Sequence, residues 1–223
     1  MSPLILLTFL TGNGLFSPGL QSQSTKLNSI KDLQYDGLPE VSYKRILTDE
    51  DAQKVRDQLG YIPCNLVSVA ARRSTGDPLV LRTYPLNGGA KRRKLKAEGD
   101  LTPFPTHYWF ITSNPVSKAV SALEQKGYVA KFESRLMDDP DALHSFIKSH
   151  EGYATERWDS ILPEHKAYIE SHSSSSRMTQ MLQYSGIAGT DFESFSPLSE
   201  ESKPASIKCL HAHYAHYRSQ IEN

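Results

Sequence analysis

The stretch Asn65-LVSVAARRSTGDPLVLRTYP-Leu86 decides how the chain is read. NLVSVAARR (Asn65–Arg73) and PLVLRTYPL (Pro78–Leu86) are rich in β-branched, aliphatic and aromatic residues, the composition of a pleated, half-buried surface. Between them Ser74-Thr75-Gly76-Asp77 supplies turn chemistry, so the two segments predict a hairpin. A third segment of the same kind, THYWFITS (Thr106–Ser113), follows after an insertion. Three neighbouring strands with direct links predict a small antiparallel meander.

On either side the pattern is helical. TDEDAQKVRDQLG (Thr48–Gly60) has a capping Thr48, three acids in its first turn and Gly60 as its stop. Downstream, NPVSKAVSALEQKGY has Asn114 to cap, Pro115 at the first helical position, Val116, Val120 and Leu123 on one face, and Gly127 to end it. Further helices are expected over 138–161 and 164–172, with a shorter one in RMTQMLQYSGIAG (Arg177–Gly189). SFSPLSEESKP (Ser194–Pro204) reads as a loop before a last helix from Ala205 to about Ile221. Strands and helices in separate blocks imply an α+β fold, a sheet of about three strands packed by several helices. The expected organisation is one domain over residues 43–223, preceded by an extension, 1–42, that is disordered or carries targeting information.

The charge balance excludes some functions. Twenty-five basic and twenty-five acidic residues cancel, so no overall field draws the molecule to nucleic acid or an anionic membrane. The dense basic run KRRKLK (Lys91–Lys96) lacks interleaved aromatics and is followed by Glu98 and Asp100; it reads as a solvated loop, and nucleic acid is not the expected partner. Two cysteines, Cys64 and Cys209, make no disulfide framework and point to the cytoplasm or another reducing compartment. The apolar run Pro3–Leu10 is too short to span a bilayer and has no basic residue before it, so a disordered tail is the primary reading of residues 1–25 and a targeting peptide the alternative.

Three of the eight histidines and one cysteine fall within IKCLHAHYAHYRSQ (Ile207–Gln220). At about 100° per residue, Ile207, Leu210, Tyr214, Tyr217 and Ile221 share the face expected to be buried, while Cys209, His213, His216 and Gln220 share another. Three readings stay open for this cluster. A metal could bridge Cys209 and His213, or His213 and His216, but one helix offers at most two such ligands, because Cys209 and His216 stand roughly 10 Å apart. A third ligand must come from His107, His150, Cys64 or an acid, and no CxxC or HExxH motif marks one, so a metal is disfavoured. Alternatively, Cys209 at a helix start gains thiolate character with a histidine one turn away, or it is a small buried hydrophobe.

With these residues in view, the chain resembles the family called domain of unknown function 501. TPFPTHYWFITSNP (Thr102–Pro115) is similar to that family's G-T-P-F-P-T-x-Y-W-L-T-x-P block, and AVSALEQKG (Ala119–Gly127) to its L-E-x-x-G helix. GIAG (Gly186–Gly189) is similar to its G-I-G-G turn, and IKCLHAHYAH (Ile207–His216) to V-K-C-L-H-A-x-x-A-H. The resemblance implies no established activity. Bacterial members often carry C-P-C-G where RSTG (Arg73–Gly76) stands here, and a cysteine near Ser113, which further disfavours a metal; the family pattern leaves the position of His213 apolar. It also continues beyond the last histidine, so a truncated C-terminus is expected.

The resulting expectation is an enzyme or small-ligand binder with Cys209 and His211 as candidate catalytic residues. Lys208, Arg72, Phe104, Thr106, Trp109, Gly186, Gly189 and His216 are its candidate binding residues. A small anionic ligand suits the cations and the backbone amides of the glycine turn; the cofactor is left unknown. A non-catalytic protein-interaction module is the alternative, with nucleic-acid binding through the basic loop Lys91–Lys96 as a third reading ranked behind it. His150, Tyr153 and Arg157, at helical spacing, form a polar stripe suited to a cleft or a wet surface.

Overall fold

A computed structural model describes residues 47–86, 101–110, 115–171, 175–198 and 202–221. The N-terminal extension, the Lys91–Lys96 run and the Asn114 cap lie outside them. Helix α1 spans Asp49–Leu59, with the Thr48 hydroxyl accepting from Asp51 N–H and Gly60 closing it at φ 81°. Strands β1 (Leu66–Arg72), β2 (Pro78–Thr83) and β3 (Tyr108–Phe110) form an antiparallel sheet in the order β1-β2-β3. The expected α+β fold is therefore present, with a very short third strand.

The hairpin turn is closed by Arg73 N–H donating to the Asp77 carbonyl and Gly76 N–H to that of Arg73, with Gly76 in the left-handed region. Arg73 also pairs with Asp77 across the turn. β2 is almost wholly buried, as a central strand covered on both faces must be.

The helices are α2 (Pro115–Gln125), α3 (Tyr128–Asp138), α4 (Pro140–Asp159), α5 (Pro163–Ser171), α6 (Ser175–Thr179) and α7 (Leu210–Ile221). α6 runs on into a π-helical turn, Gln180–Tyr184, and two 3-10 turns follow, Ile187–Gly189 and Glu193–Phe195. α3 is an addition to the sequence reading: Gly127, at φ 74°, both ends α2 and begins α3. Among the described residues no helix is long and apolar enough to cross a membrane.

The main core gathers Ala71, Leu79, Val80 and Tyr108 from the sheet with Tyr153, Ala154, Ile187, Leu210, Tyr214 and Ala215. α7 lies against β3 and β1, so its two ends sit in different surroundings.

Two expectations are corrected here. The last helix starts at Leu210, not Ala205, because Ile207 N–H donates to Glu133 and Leu210 N–H to Glu124, in each case at 2.8 Å. The α2 carboxylate thus takes the Leu210 amide that a helix from Ala205 would have used, while the α3 carboxylate holds the Ile207 amide, which the first turn of such a helix would have left unpaired. Its buried residues are Leu210, Tyr214, Ala215, His216 and Ser219, whereas Ile221 is exposed. The stripe His150, Tyr153 and Arg157 faces neither cleft nor water but the interior.

Candidate functional site

The junction of α2 with the N-terminal end of α7 carries the strongest chemistry. Cys209 immediately precedes α7, and its carbonyl accepts from His213 N–H, the first bond of the helix. His211 follows in the first turn. Glu124, the penultimate residue of α2, accepts from Leu210 N–H at 2.8 Å and lies 3.4 Å from His211 Nδ1. The other ring nitrogen, Nε2, lies 3.2 Å from the Ser117 carbonyl and 3.1 Å from Ser121 Oγ. The Ser117 carbonyl and the Glu124 carboxylate both only accept, so they compete for the ring proton; with Nε2 protonated toward Ser117, Nδ1 presents its lone pair on the Glu124 side.

One donor atom from each of Glu124, Cys209 and His211 lies within 4.8 Å of the other two, and all three residues are partly buried. Among the described residues this is the group able to hold an ion with three ligands. The side chains of His211 and Glu124 remain 19% and 31% exposed, so a solute can reach them. Thiolate, imidazole and carboxylate together suit a borderline-soft cation or an arrangement for nucleophilic chemistry. Glu124 escaped the sequence reading although it stands in the L-E-x-x-G block, since a glutamate on an amphipathic helix reads as solvated.

Lys208 is next in the chain but turns away, donating from Nζ to the Gly189 carbonyl at 2.5 Å. It ties α7 to the glycine turn. Gly186 begins that turn, and Ile187 N–H donates to His150 Nδ1 at 2.9 Å. Gly186 packs directly on buried His150, while Gly189 and Lys208 close the turn at its exposed side.

Deeper still, His213 stacks on Phe146 at 5.3 Å and meets His150 edge-on at 5.1 Å. His216 packs against Tyr153 and Tyr108 and is bonded to Ser149. Burial pushes the His107 and His150 pKa values down from 6.5 to about 3 each and that of His213 to about 4, so these rings are neutral at neutral pH. They are core aromatics more than surface ligands.

The remaining candidates lie elsewhere. Arg72 makes a bidentate pair with Asp51 of α1, and its carbonyl accepts from Arg218 in the last turn of α7, at the end of the helix remote from Cys209. Phe104 N–H donates to the Pro85 carbonyl, and the Thr106 carbonyl accepts from Thr83 Oγ1; the backbone of Trp109 pairs with Leu81 in the sheet. The TPFPT segment is anchored from below by Arg157, fully buried, which donates to the carbonyls of Pro105, Leu182 and Ser185. The structure thus brings together Cys209 and His211 with Glu124, and Lys208 with Gly186 and Gly189, while TPFPT and Arg72 occupy separate regions.

No curated protein and no solved structure matches the chain. A family profile described as "Protein of unknown function (DUF501)" matches residues 69–223, from β1 through α7. The chain belongs to that family, the domain of unknown function 501.

Proposed function

We propose that the protein is an enzyme or small-ligand binder whose site is the α2–α7 junction, with Cys209 and His211 as the reactive groups and Glu124 as their partner. The observation that supports this reading is the convergence of three chemically active side chains at a reachable edge, on a helix whose other polar residues are largely turned inward. A residue placed only for packing has no need of an imidazole and a carboxylate around its sulfur. The ligand is small, and an anionic group suits the side of the junction where Lys208 and the glycine turn lie. Two cysteines outside any disulfide suit a reducing compartment, and nucleic acid is not the partner this site would take.

The test compares reactivity with stability. Wild-type protein, folded and reduced, is treated with iodoacetamide and the modified cysteine is identified by mass spectrometry. Cys209 is expected to react, and to react more slowly in His211→Ala. Cys209→Ser is expected to leave the urea midpoint nearly unchanged. An unreactive Cys209 whose replacement by alanine costs about 1–3 kcal/mol, the loss of a packed group, would favour a non-catalytic interaction module in which the motif only braces the fold.

A further inference from the structure

We infer that Glu124, Cys209 and His211 hold one divalent transition-metal ion of the zinc type, through a carboxylate oxygen, Sγ and Nδ1. This deepens the site proposed above, on which it rests, by naming the chemical class of what the three side chains bind.

The geometry supplies the reason. Ser117 and Ser121 fix the His211 ring through Nε2, the arrangement by which metal-binding histidines are oriented and their tautomer set. That leaves Nδ1 facing a carboxylate at 3.4 Å, long for a charge-assisted N–H···O bond, which closes to about 2.7–2.9 Å. It is close to the ligand-to-ligand separation of about 3.3 Å that metal–nitrogen and metal–oxygen bonds of about 2.0–2.1 Å give at a tetrahedral centre. A bare ion pair would explain two residues; the Cys209 sulfur, within 4.8 Å of both other donors, is a third that an ion pair does not need.

The donor set selects the metal. One thiolate, one imidazole and one carboxylate neutralise a dication and favour zinc over magnesium or calcium, which take oxygen ligands. Three protein ligands on partly exposed residues leave a fourth position for water or an anionic group of a ligand, the pattern of catalytic rather than structural zinc. The ligands come from two elements. Glu124 fixes the approach of α7 to α2 through the Leu210 amide, so the framework that carries the site is in place before the ion arrives.

The test uses the full chain without an affinity tag, in a Cys64→Ser background so that Cys209 is the sole thiol. Protein expressed with added zinc and purified without chelator is analysed by elemental mass spectrometry. Metal-free protein is then titrated with cobalt(II) and followed by absorption. About one zinc per chain is expected, with a sulfur-to-cobalt charge-transfer band on titration. Cys209→Ser abolishes the band, and Glu124→Gln, which keeps an oxygen to accept from Leu210 N–H and so preserves the fold by circular dichroism, lowers zinc affinity at least ~10-fold, as does Ser121→Ala to a smaller degree.

Zinc retained undiminished by both Cys209→Ser and Glu124→Gln would overturn the inference by placing the ion elsewhere. No zinc and no cobalt band, with Cys209 still readily alkylated, would overturn it while leaving the proposed site standing. No metal and an unreactive Cys209 would remove both.

Discussion

Gly186 and His150 touch so closely that no side chain fits between them. A Cβ built on Gly186 would stand 2.4 Å from His150 Nδ1 and 2.8 Å from its Cβ and Cγ. Gly186 has φ −81°, which any residue can adopt, so glycine is required here by space and not by backbone conformation. The contact allows Ile187 N–H to reach His150 Nδ1 and lets the imidazole lie parallel to Phe192, 6° between planes. Gly186→Ala is therefore expected to displace His150 and cost about 1–3 kcal/mol, as overpacking of a tight interior does. Urea unfolding monitored by tryptophan fluorescence measures it; a variant as stable as wild type would show that the turn can move away.

Arg157 offers a second stability test. Its guanidinium is fully buried among the carbonyls of Leu182, Pro105 and Ser185, and burial lowers its pKa to about 10. Leu182 lies in the last turn of Gln180–Tyr184, where helix carbonyls have no intrahelical donor and need one from outside. Arg157→Met removes the donors and strands acceptors away from water, at a cost of about 3 kcal/mol. Arg157→Lys restores little, because one ammonium cannot span three carbonyls from two segments. Denaturation midpoints for the two variants should be nearly equal, and a lysine variant close to wild type would contradict the spanning role.

Acid should unfold the protein through its interior imidazoles. His107 faces Thr83, Arg82, Arg157 and His216, and His150 faces His213, His216 and Lys208. Both are held neutral, with pKa values near 3 against 6.5. Between those values the unfolded chain binds protons that the folded chain does not, so stability falls as pH falls below about 6.5, by up to about 1.4 kcal/mol per pH unit for each ring. The paired carboxylates Asp51 and Asp77, whose pKa values are lowered, add their loss only at more acidic pH. Stability is expected to be level above neutrality and to drop from pH 6.5 to 5 with a slope of at least about two protons. His107→Asn, which can still donate to the Thr83 carbonyl, reduces that slope by about one proton; an unchanged slope would mean that His107 is not among the titrating groups.

These residues also show why the sequence yields some parts of the molecule and hides others. Thr48, Gly60, Pro140 and the Ser74–Asp77 turn act through neighbours a few positions away, so the elements they bound are legible in the chain itself. α7 begins where Glu124 caps it from 86 positions away, a relation no local pattern contains, and the expected helix therefore starts too early. α3 is hidden because Gly127 reads as an end and serves as a join. His213 and His216 read as polar, but with their charge removed they behave as aromatic rings, packed on Phe146, Tyr153 and Tyr108. Cys209 and His211 are legible by residue type. Their third partner is not, since an exposed-looking glutamate acquires meaning only when α2 and α7 are seen side by side.

The glycine turn carries a last prediction. Ala188 has φ 55°, ψ 28°, the left-handed conformation, between Ile187 and Gly189. The conformation costs an L-residue with a side chain roughly 1–2 kcal/mol, and it is held here by Gly189 N–H donating to the Gly186 carbonyl and Thr190 N–H to that of Ile187. Ala188→Gly relieves the strain but gives the unfolded chain about 0.4–1 kcal/mol of additional freedom, so a net gain between zero and about 1.6 kcal/mol is expected. Ala188→Val, β-branched in a region where such residues are true outliers, should lose more than that gain. Thermal midpoints ordered Gly above Ala above Val would establish that the turn is strained by its sequence and tolerated because its closing bonds and the Lys208 contact to Gly189 hold it. Equal midpoints for all three would mean that the turn relaxes to another conformation, freeing Lys208 from the Gly189 carbonyl to approach a ligand at the α2–α7 junction.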